Sequence, residues 1–315
     1  MPDAIGNKTA HDYHLDVPAP EQGFFAKGLG HGDWGAKNRL SHLFNPKSGN
    51  TVMLAFDHGY IMGATAGLEC MDVTIAPLCR YADVLMATRG AIRSCIPPTV
   101  HNAICLRATH DASVLIDDMS TGNGVGADME AAIRMNASAV AIQCFIGGAG
   151  EARSLETLCR AVDAGERYGI PVLGVTAVGK EMARTTQYFL LAARMLAELG
   201  ASFVKTYYCD DFEKVVAACP VPIVIAGGKK LPEDEALTMA YRAISDGARG
   251  VDMGRNIFQS EHPAAMCRAV EYAAGLRPGI KWTNDLVWGK QKFAGILTEM
   301  GLNAAGGVDW AIVGI

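Results

Sequence analysis

The 315 residues carry a formal net charge of −5 at pH 7 and are 50% hydrophobic. That is enough apolar material for one large α/β core. The acidic balance and the lack of any Lys/Arg run interleaved with aromatics speak against a nucleic-acid partner, and no apolar run reaches the roughly 18 residues of a bilayer-spanning helix.

Residues 1–50 are polar, Gly-rich and weakly periodic, and read as an N-terminal arm with a short helix around Trp34 to Leu43. The opening MPDAIGNKTAHDYHLDVPAP lacks the apolar core of a secretory signal. Nine cysteines are scattered without CxxC pairs or zinc-type Cys/His spacing. The expectation is a soluble, cytoplasmic protein with buried, reduced thiols. With no HxH or HExxH spacing, no metal is predicted, and no membrane partner.

From residue 51 a rhythm begins. Short apolar runs alternate with longer amphipathic ones: VMLAF (52–56), DVLMAT (83–88), AICLRA (103–108), AVAIQCFI (139–146), VLGVTAV (172–178), SFVKTYY (202–208), PIVIAGG (222–228) and GVDMGR (250–255). Most are near-continuously apolar, as in strands covered on both faces. Helix-like segments at 187–200 and 233–247 both end in Gly, a common helix stop. Eight such units predict a (β/α)8 barrel spanning 51–275. An open doubly wound sheet is the alternative, but FDHGYIMGATAG after the first run is no GxGxxG fingerprint.

A barrel concentrates its chemistry at the C-terminal strand ends. Polar candidates there are Asp57 and His58 after strand 1, Arg89 after strand 2, Arg107 on strand 3, and Lys180 after strand 5. Lys205 lies on strand 6, Gly227, Gly228, Lys229 and Lys230 follow strand 7, and Asp252, Gly254, Arg255 and Asn256 belong to strand 8. Lys205 is the odd residue, because a buried ammonium needs a partner. In a poorly solvated pocket its pKa falls, and the neutral amine attacks a ketone to give a Schiff base that serves as an electron sink. The structural alternative is that it merely pairs with Asp57 or Asp252. AGGKK (226–230) and MGRN (253–256) have the form of phosphate loops, with Gly for close backbone approach and Arg for a bidentate grip. His58 is read as a residue titrating near neutrality that moves protons, with Asp57 beside it as a helper or an orienting group.

The runs NPKSGNTVMLAFDHGY, ADVLMATRG, FVKTYY, CPVPIVIAGGKKLP and GVDMGRNIFQ resemble the class I aldolase superfamily of (β/α)8 barrels over about residues 24–272. Within it they are most similar to a thiolase branch. The resemblance implies Lys205 as the lysine nucleophile, His58 and Asp57 beside it, and a phosphate held by Gly227, Gly228, Gly254 and Arg255. It implies acetyl transfer from 3-hydroxy-5-phosphonooxypentane-2,4-dione to coenzyme A in autoinducer-2 degradation, giving acetyl-CoA and dihydroxyacetone phosphate. Coenzyme A would be a co-substrate, with no bound cofactor. It further implies a homo-oligomer, typically a decamer. Related aldolases carry a Tyr acid/base at the end of strand 4, whereas here Phe145 stands in QCFIGG (143–148). That departure counts against one alternative, a Schiff-base aldolase acting on a sugar phosphate; the other, a non-enzymatic binding protein for a phosphorylated signal, would need Lys205 to be structural.

Residues 276–315 break the pattern. IKWTNDLVWGKQKFAGILTEM (280–300) and DWAIVGI (309–315) resemble part of a biotin protein ligase, in which Asp285 and Lys292 would contact activated biotin. The nucleotide loop of that family is missing, so this foreign tail is expected to carry no ligase activity and to expose strand-like runs, LVWG and WAIVGI.

Overall fold

The computed structural model describes residues 23–178 and 184–275, and beyond them the backbone of five strands between Gly279 and Gly314. The eight apolar runs form the eight strands of a closed barrel: β1 (Thr51–Ala55), β2 (Val84–Ala87), β3 (Ala103–Arg107), β4 (Ala139–Cys144), β5 (Val172–Thr176), β6 (Phe203–Tyr207), β7 (Ile223–Ala226) and β8 (Gly250–Met253). Each strand pairs in parallel with its sequence neighbours, and β1 closes on β8 with Thr51 opposite Gly250. Every strand residue is buried except Tyr207, which is half-buried. This explains the near-continuous apolar runs. The outward residues meet helices and the inward ones meet each other, so each Val, Leu or Ile gains ~1.5–3 kcal/mol by leaving water.

The helices that matter for the site are α1 (Trp34–Leu43), α2 (Arg89–Cys95), α3 (Met129–Arg134), α4 (Glu151–Tyr168), α5 (Thr186–Glu198), α6 (Phe212–Ala218), α7 (Glu233–Ser245), α8 (Arg255–Phe258) and α9 (Pro263–Ala273). Side chains cap several of them: Asp33 accepts from Ala36 N at 2.6 Å and Asp128 from Ala131 N at 2.7 Å. The glycine stops are real. Gly200 and Gly247 follow α5 and α7 with φ of +99° and +105°, a region other L residues rarely enter.

Residues 23–49 close the bottom of the barrel, and residues 1–22 of the arm lie outside the described residues. Phe44, just past α1, meets Phe203 at the start of β6 edge-on at 5.3 Å, and both rings are buried. Lys27 donates to the carbonyls of Val216 and Cys219, and Arg39 to that of Gly169. The opposite end carries the long βα loops and the polar residues. All nine cysteines are free, but only five are buried; Cys95, Cys159 and Cys209 are partly exposed and Cys70 is exposed. Among the described residues no helix is long and apolar enough to cross a membrane.

The tail forms two small antiparallel sheets, one of Gly279–Lys281, Asp285–Trp288 and Gln291–Gly295, the other of Leu297–Leu302 and Val308–Gly314. The runs read as strand-like fall on the strands Asp285–Trp288 and Val308–Gly314, with Asp285 opposite Gly295 and Val287 opposite Lys292.

Candidate active site

Lys205 sits in the middle of β6, between Val175 of β5 and Val224 of β7, and points into the barrel. Only 9% of it is exposed. Its Nζ lies 2.8 Å from Asp252 Oδ2 of β8, in a contact off the line of a hydrogen bond, and 3.7 Å from Met86 Sδ of β2. Burial pushes the Asp252 carboxyl above the ordinary carboxylate range, an effect that the Lys205 charge opposes without cancelling it. Of the two carboxylates weighed as partners for the lysine, Asp252 takes that place.

Asp57 is committed elsewhere. Arg107, at the end of β3, donates to its Oδ2 through Nε at 2.7 Å and Nη2 at 2.6 Å. Burial alone would raise the Asp57 pKa, but Arg107, His58 and Lys205 together hold it down at about 2. Asp57 is thus a fixed anion at neutral pH rather than a proton carrier, which corrects the expectation that it could share the proton work.

His58 does not titrate near neutrality, as the sequence reading had it. Burial, and then the Lys205, Arg255 and Arg107 charges, lower its pKa to about 4 against the pull of Asp57. The ring is neutral at pH 7. Its Nδ1 stands 3.8 Å from Asp57 Oδ1 with no hydrogen-bond partner among the described residues, and its edge meets Phe258 at 6.0 Å. Gly254 makes this placement possible. A Cβ there would lie 2.2 Å from Ala55 O and 2.8 Å from His58 Cε1.

The two proposed phosphate loops are joined by Asn256. Its Nδ2 donates to Gly227 O at 2.7 Å, and its Oδ1 accepts from Leu231 N at 2.8 Å. Gly228 takes a φ of +68°, so the turn after β7 needs glycine. Arg255 is half-buried, its Nε without a hydrogen-bond partner among the described residues, and its charge reaches His58. The site therefore gathers Lys205, Asp57, His58, Gly254 and Arg255 at one end of the barrel, with Gly227 and Gly228 tied to them through Asn256. Lys229, Lys230 and Arg89 are exposed. Lys180 lies outside the described residues.

The sequence reading missed a second polar layer. Tyr60 donates to Asp111 Oδ2 at 2.5 Å, Asn123 Nδ2 donates to Asp111 Oδ1 at 2.8 Å, and Arg107 lies over the Tyr60 ring at 5.9 Å. Asp111 follows a two-residue extension, Thr109–His110, that pairs with Gly124–Val125, so the polar end of strand 3 runs further than the apolar run suggests. The available signal was a polar THD directly after that run. Phe145 is buried at the end of β4, as read, and brings no hydroxyl. Cys105 lies close enough to feel both Asp252 and Lys205, but burial first of all pushes its thiol up, out of reach of a thiolate role. Among the described residues no group of three or more His, Cys, Asp or Glu could hold a metal ion. Clefts of about 540 Å³ lie at the other end of the barrel, one lined by Trp34, Arg39, His42 and His101.

This arrangement can form an imine with a ketone, keep the resulting cation beside a carboxylate, and hold an anionic group at loops 7 and 8. Comparison with known proteins agrees with the barrel. The profile of the DeoC/LacD family aldolases matches residues 51–260. An uncharacterized aldolase of Pasteurella multocida (strain Pm70) is 53% identical over 271 residues, 86% of this chain and 93% of that protein. The 3-hydroxy-5-phosphonooxypentane-2,4-dione thiolase of Escherichia coli (strain K12) is 52% identical over 272 residues, again 86% and 93% of the two chains. Among solved structures, an archaeal fructose 1,6-bisphosphate aldolase superposes with a TM-score of 0.68 at 24% identity, over 76% of this chain and 98% of its own. That likeness establishes the fold.

Proposed function

The chain belongs to the DeoC/LacD family of aldolases, and we propose that within it this enzyme is a thiolase. It moves the acetyl group of 3-hydroxy-5-phosphonooxypentane-2,4-dione to coenzyme A, in autoinducer-2 degradation. The relatives of that name at 52% identity support the reaction. The observation that carries it is a lysine amine buried inside the barrel, 2.8 Å from a carboxylate, at the end where the Gly/Arg loops lie.

Lys205 Nζ adds to the C4 carbonyl, next to the phosphorylated carbon, and water leaves to give an iminium. Neutral His58 takes the proton of the coenzyme A thiol, and the sulfur adds to the C2 carbonyl. The C2–C3 bond breaks, its electron pair moving toward the iminium to form an enamine. The proton on His58 passes to C3. Water then hydrolyses the iminium and frees dihydroxyacetone phosphate, while C2 leaves as acetyl-CoA. Moving a proton from a thiol near pKa 8.5 to an imidazole at about 4 is uphill by about 6 kcal/mol. That fits within the ~16 kcal/mol barrier of a typical turnover, and the imidazolium it makes is a strong acid toward C3. Gly227, Gly228, Gly254 and Arg255 receive the phosphate. Coenzyme A is a co-substrate and no bound cofactor enters the scheme.

We place the enzyme in the cytoplasm as a homo-oligomer, a decamer by family resemblance, which sedimentation of the purified chain would measure. We take residues 276–315 as a segment joined to the barrel without part in the reaction; the family match ends at residue 260.

The test is incubation of the phosphorylated dione with and without coenzyme A, using wild type and Lys205→Ala. Acetyl-CoA and dihydroxyacetone phosphate should form only with coenzyme A and only with Lys205 present. Dihydroxyacetone phosphate released without coenzyme A would instead make the enzyme a Schiff-base aldolase. No turnover by folded protein on either route would leave a binding protein.

A further inference from the structure

No step of the proposed acetyl transfer uses Asp252, yet its position is demanding. It is 1% exposed on the inner face of β8, opposite Met53 of β1. Burying a carboxylate is costly unless it is paired, and its one ion-pair contact among the described residues is the Lys205 ammonium at 2.8 Å. The other acid nearby, Asp57, is already gripped by Arg107. The charged and titratable groups around Asp252 are therefore Lys205 from β6, Asp57 after β1, and Arg107 and Cys105 from β3.

We propose that Asp252 is the counter-ion of Lys205 through the whole covalent cycle, first taking the proton that the ammonium must shed and later stabilising the iminium as a carboxylate. This rests on the Schiff-base reading of Lys205. The protons balance. Lys205 gives one proton to Asp252 and attacks as the neutral amine. The carbinolamine moves a second proton from nitrogen to oxygen. Asp252 returns the first proton to that hydroxyl, which departs as water, leaving an N–H iminium facing a carboxylate 2.8 Å from where Nζ began. Burial, which raises the carboxyl's pKa, makes it a better proton acceptor than an exposed aspartate.

The test compares wild type, Asp252→Asn and Asp252→Glu, each checked for folding by thermal melting. The first readout is the pH dependence of Lys205 modification by an amine-acylating reagent, followed by peptide mass spectrometry. Loss of the carboxylate charge favours the neutral amine, so at a given pH Asp252→Asn should be acylated at Lys205 about tenfold faster than wild type or more. Asp252→Glu should reverse part of that gain. The second readout is borohydride trapping of dihydroxyacetone phosphate on Lys205. Asp252→Asn should trap at least about tenfold less than wild type, even though more of its amine is neutral. An unmoved profile of Lys205 acylation overturns the proposal, as does trapping equal to wild type, with the Schiff-base reading left standing. Wild type that traps nothing while Asp252→Asn still shifts the acylation profile overturns the Schiff-base reading and the iminium role with it, and leaves the ion pair as a structural contact.

Discussion

The Arg107 guanidinium closes on a single oxygen of Asp57, with Nη2 at 2.6 Å and Nε at 2.7 Å from Oδ2, and both side chains are buried. Removing the cation strands the anion. Arg107→Met should destabilise the barrel by roughly 3–5 kcal/mol, and Arg107→Lys should recover only part of that because it lacks the fork. Urea unfolding at pH 7 measures both. A loss below about 1 kcal/mol for the Met variant would mean that the pair contributes no more than a surface contact.

His58 makes stability depend on acid. Its pKa drops from 6.5 in the unfolded chain to about 4 in the fold, so between those values the unfolded state binds more protons. The stabilisation is fully present above about pH 6.5 and is lost as pH falls toward 4, by roughly 2–3 kcal/mol. Asp57 adds to this at lower pH, since its depressed pKa stabilises above 3.8 and that share fades toward 2. Denaturation midpoints taken from pH 7 to 4 should slope downward in wild type and be flatter in His58→Gln. Equal slopes would place the imidazole in a more solvated setting.

Gly254 is expected to tolerate no side chain. A Cβ would sit 2.2 Å from Ala55 O, which belongs to backbone and cannot swing away, and 2.8 Å from His58 Cε1. Gly254→Ala should cost about 1–3 kcal/mol and reduce kcat by displacing the ring. Gly23→Ala, where a Cβ meets nothing within 4 Å, is the control. A fully active Gly254→Ala enzyme would show that the β8 turn relaxes freely.

Asn256 is fully buried and ties the turn after β7 to α8. Asn256→Ala leaves Gly227 O and Leu231 N without this partner, at ~1–3 kcal/mol. If the two loops hold the phosphate, KM for the phosphorylated dione should rise about tenfold or more, and inorganic phosphate should inhibit correspondingly less. An unchanged KM would detach the phosphate from these loops.

The sequence by itself determined the barrel. Eight apolar runs of strand length fall on eight strands, and the segments read as helices at 187–200 and 233–247 are α5 and α7 within two residues at each end. The reason is local: a strand covered on both faces needs an unbroken apolar run, and a helix that stops needs a residue free to take positive φ. Polar residues on the strands and just after them, Lys205 among them, were legible for the same reason, as exceptions to an apolar rule.

Which of those polar residues face one another was decided only by the tertiary structure. Lys205 and Asp252 are 47 positions apart in the chain, and only closure of the barrel brings them to 2.8 Å. The same closure gives Asp57 to Arg107, which leaves Asp252 for the lysine. It also packs His58 among three cations and away from water, so a residue whose type suggests neutrality titrates at about 4. The Tyr60–Asp111–Asn123 layer arises from a loop folding back as a two-residue hairpin, too short to leave a period in the sequence. Charge pairing and desolvation depend on distances through space, and those the chain order does not encode directly.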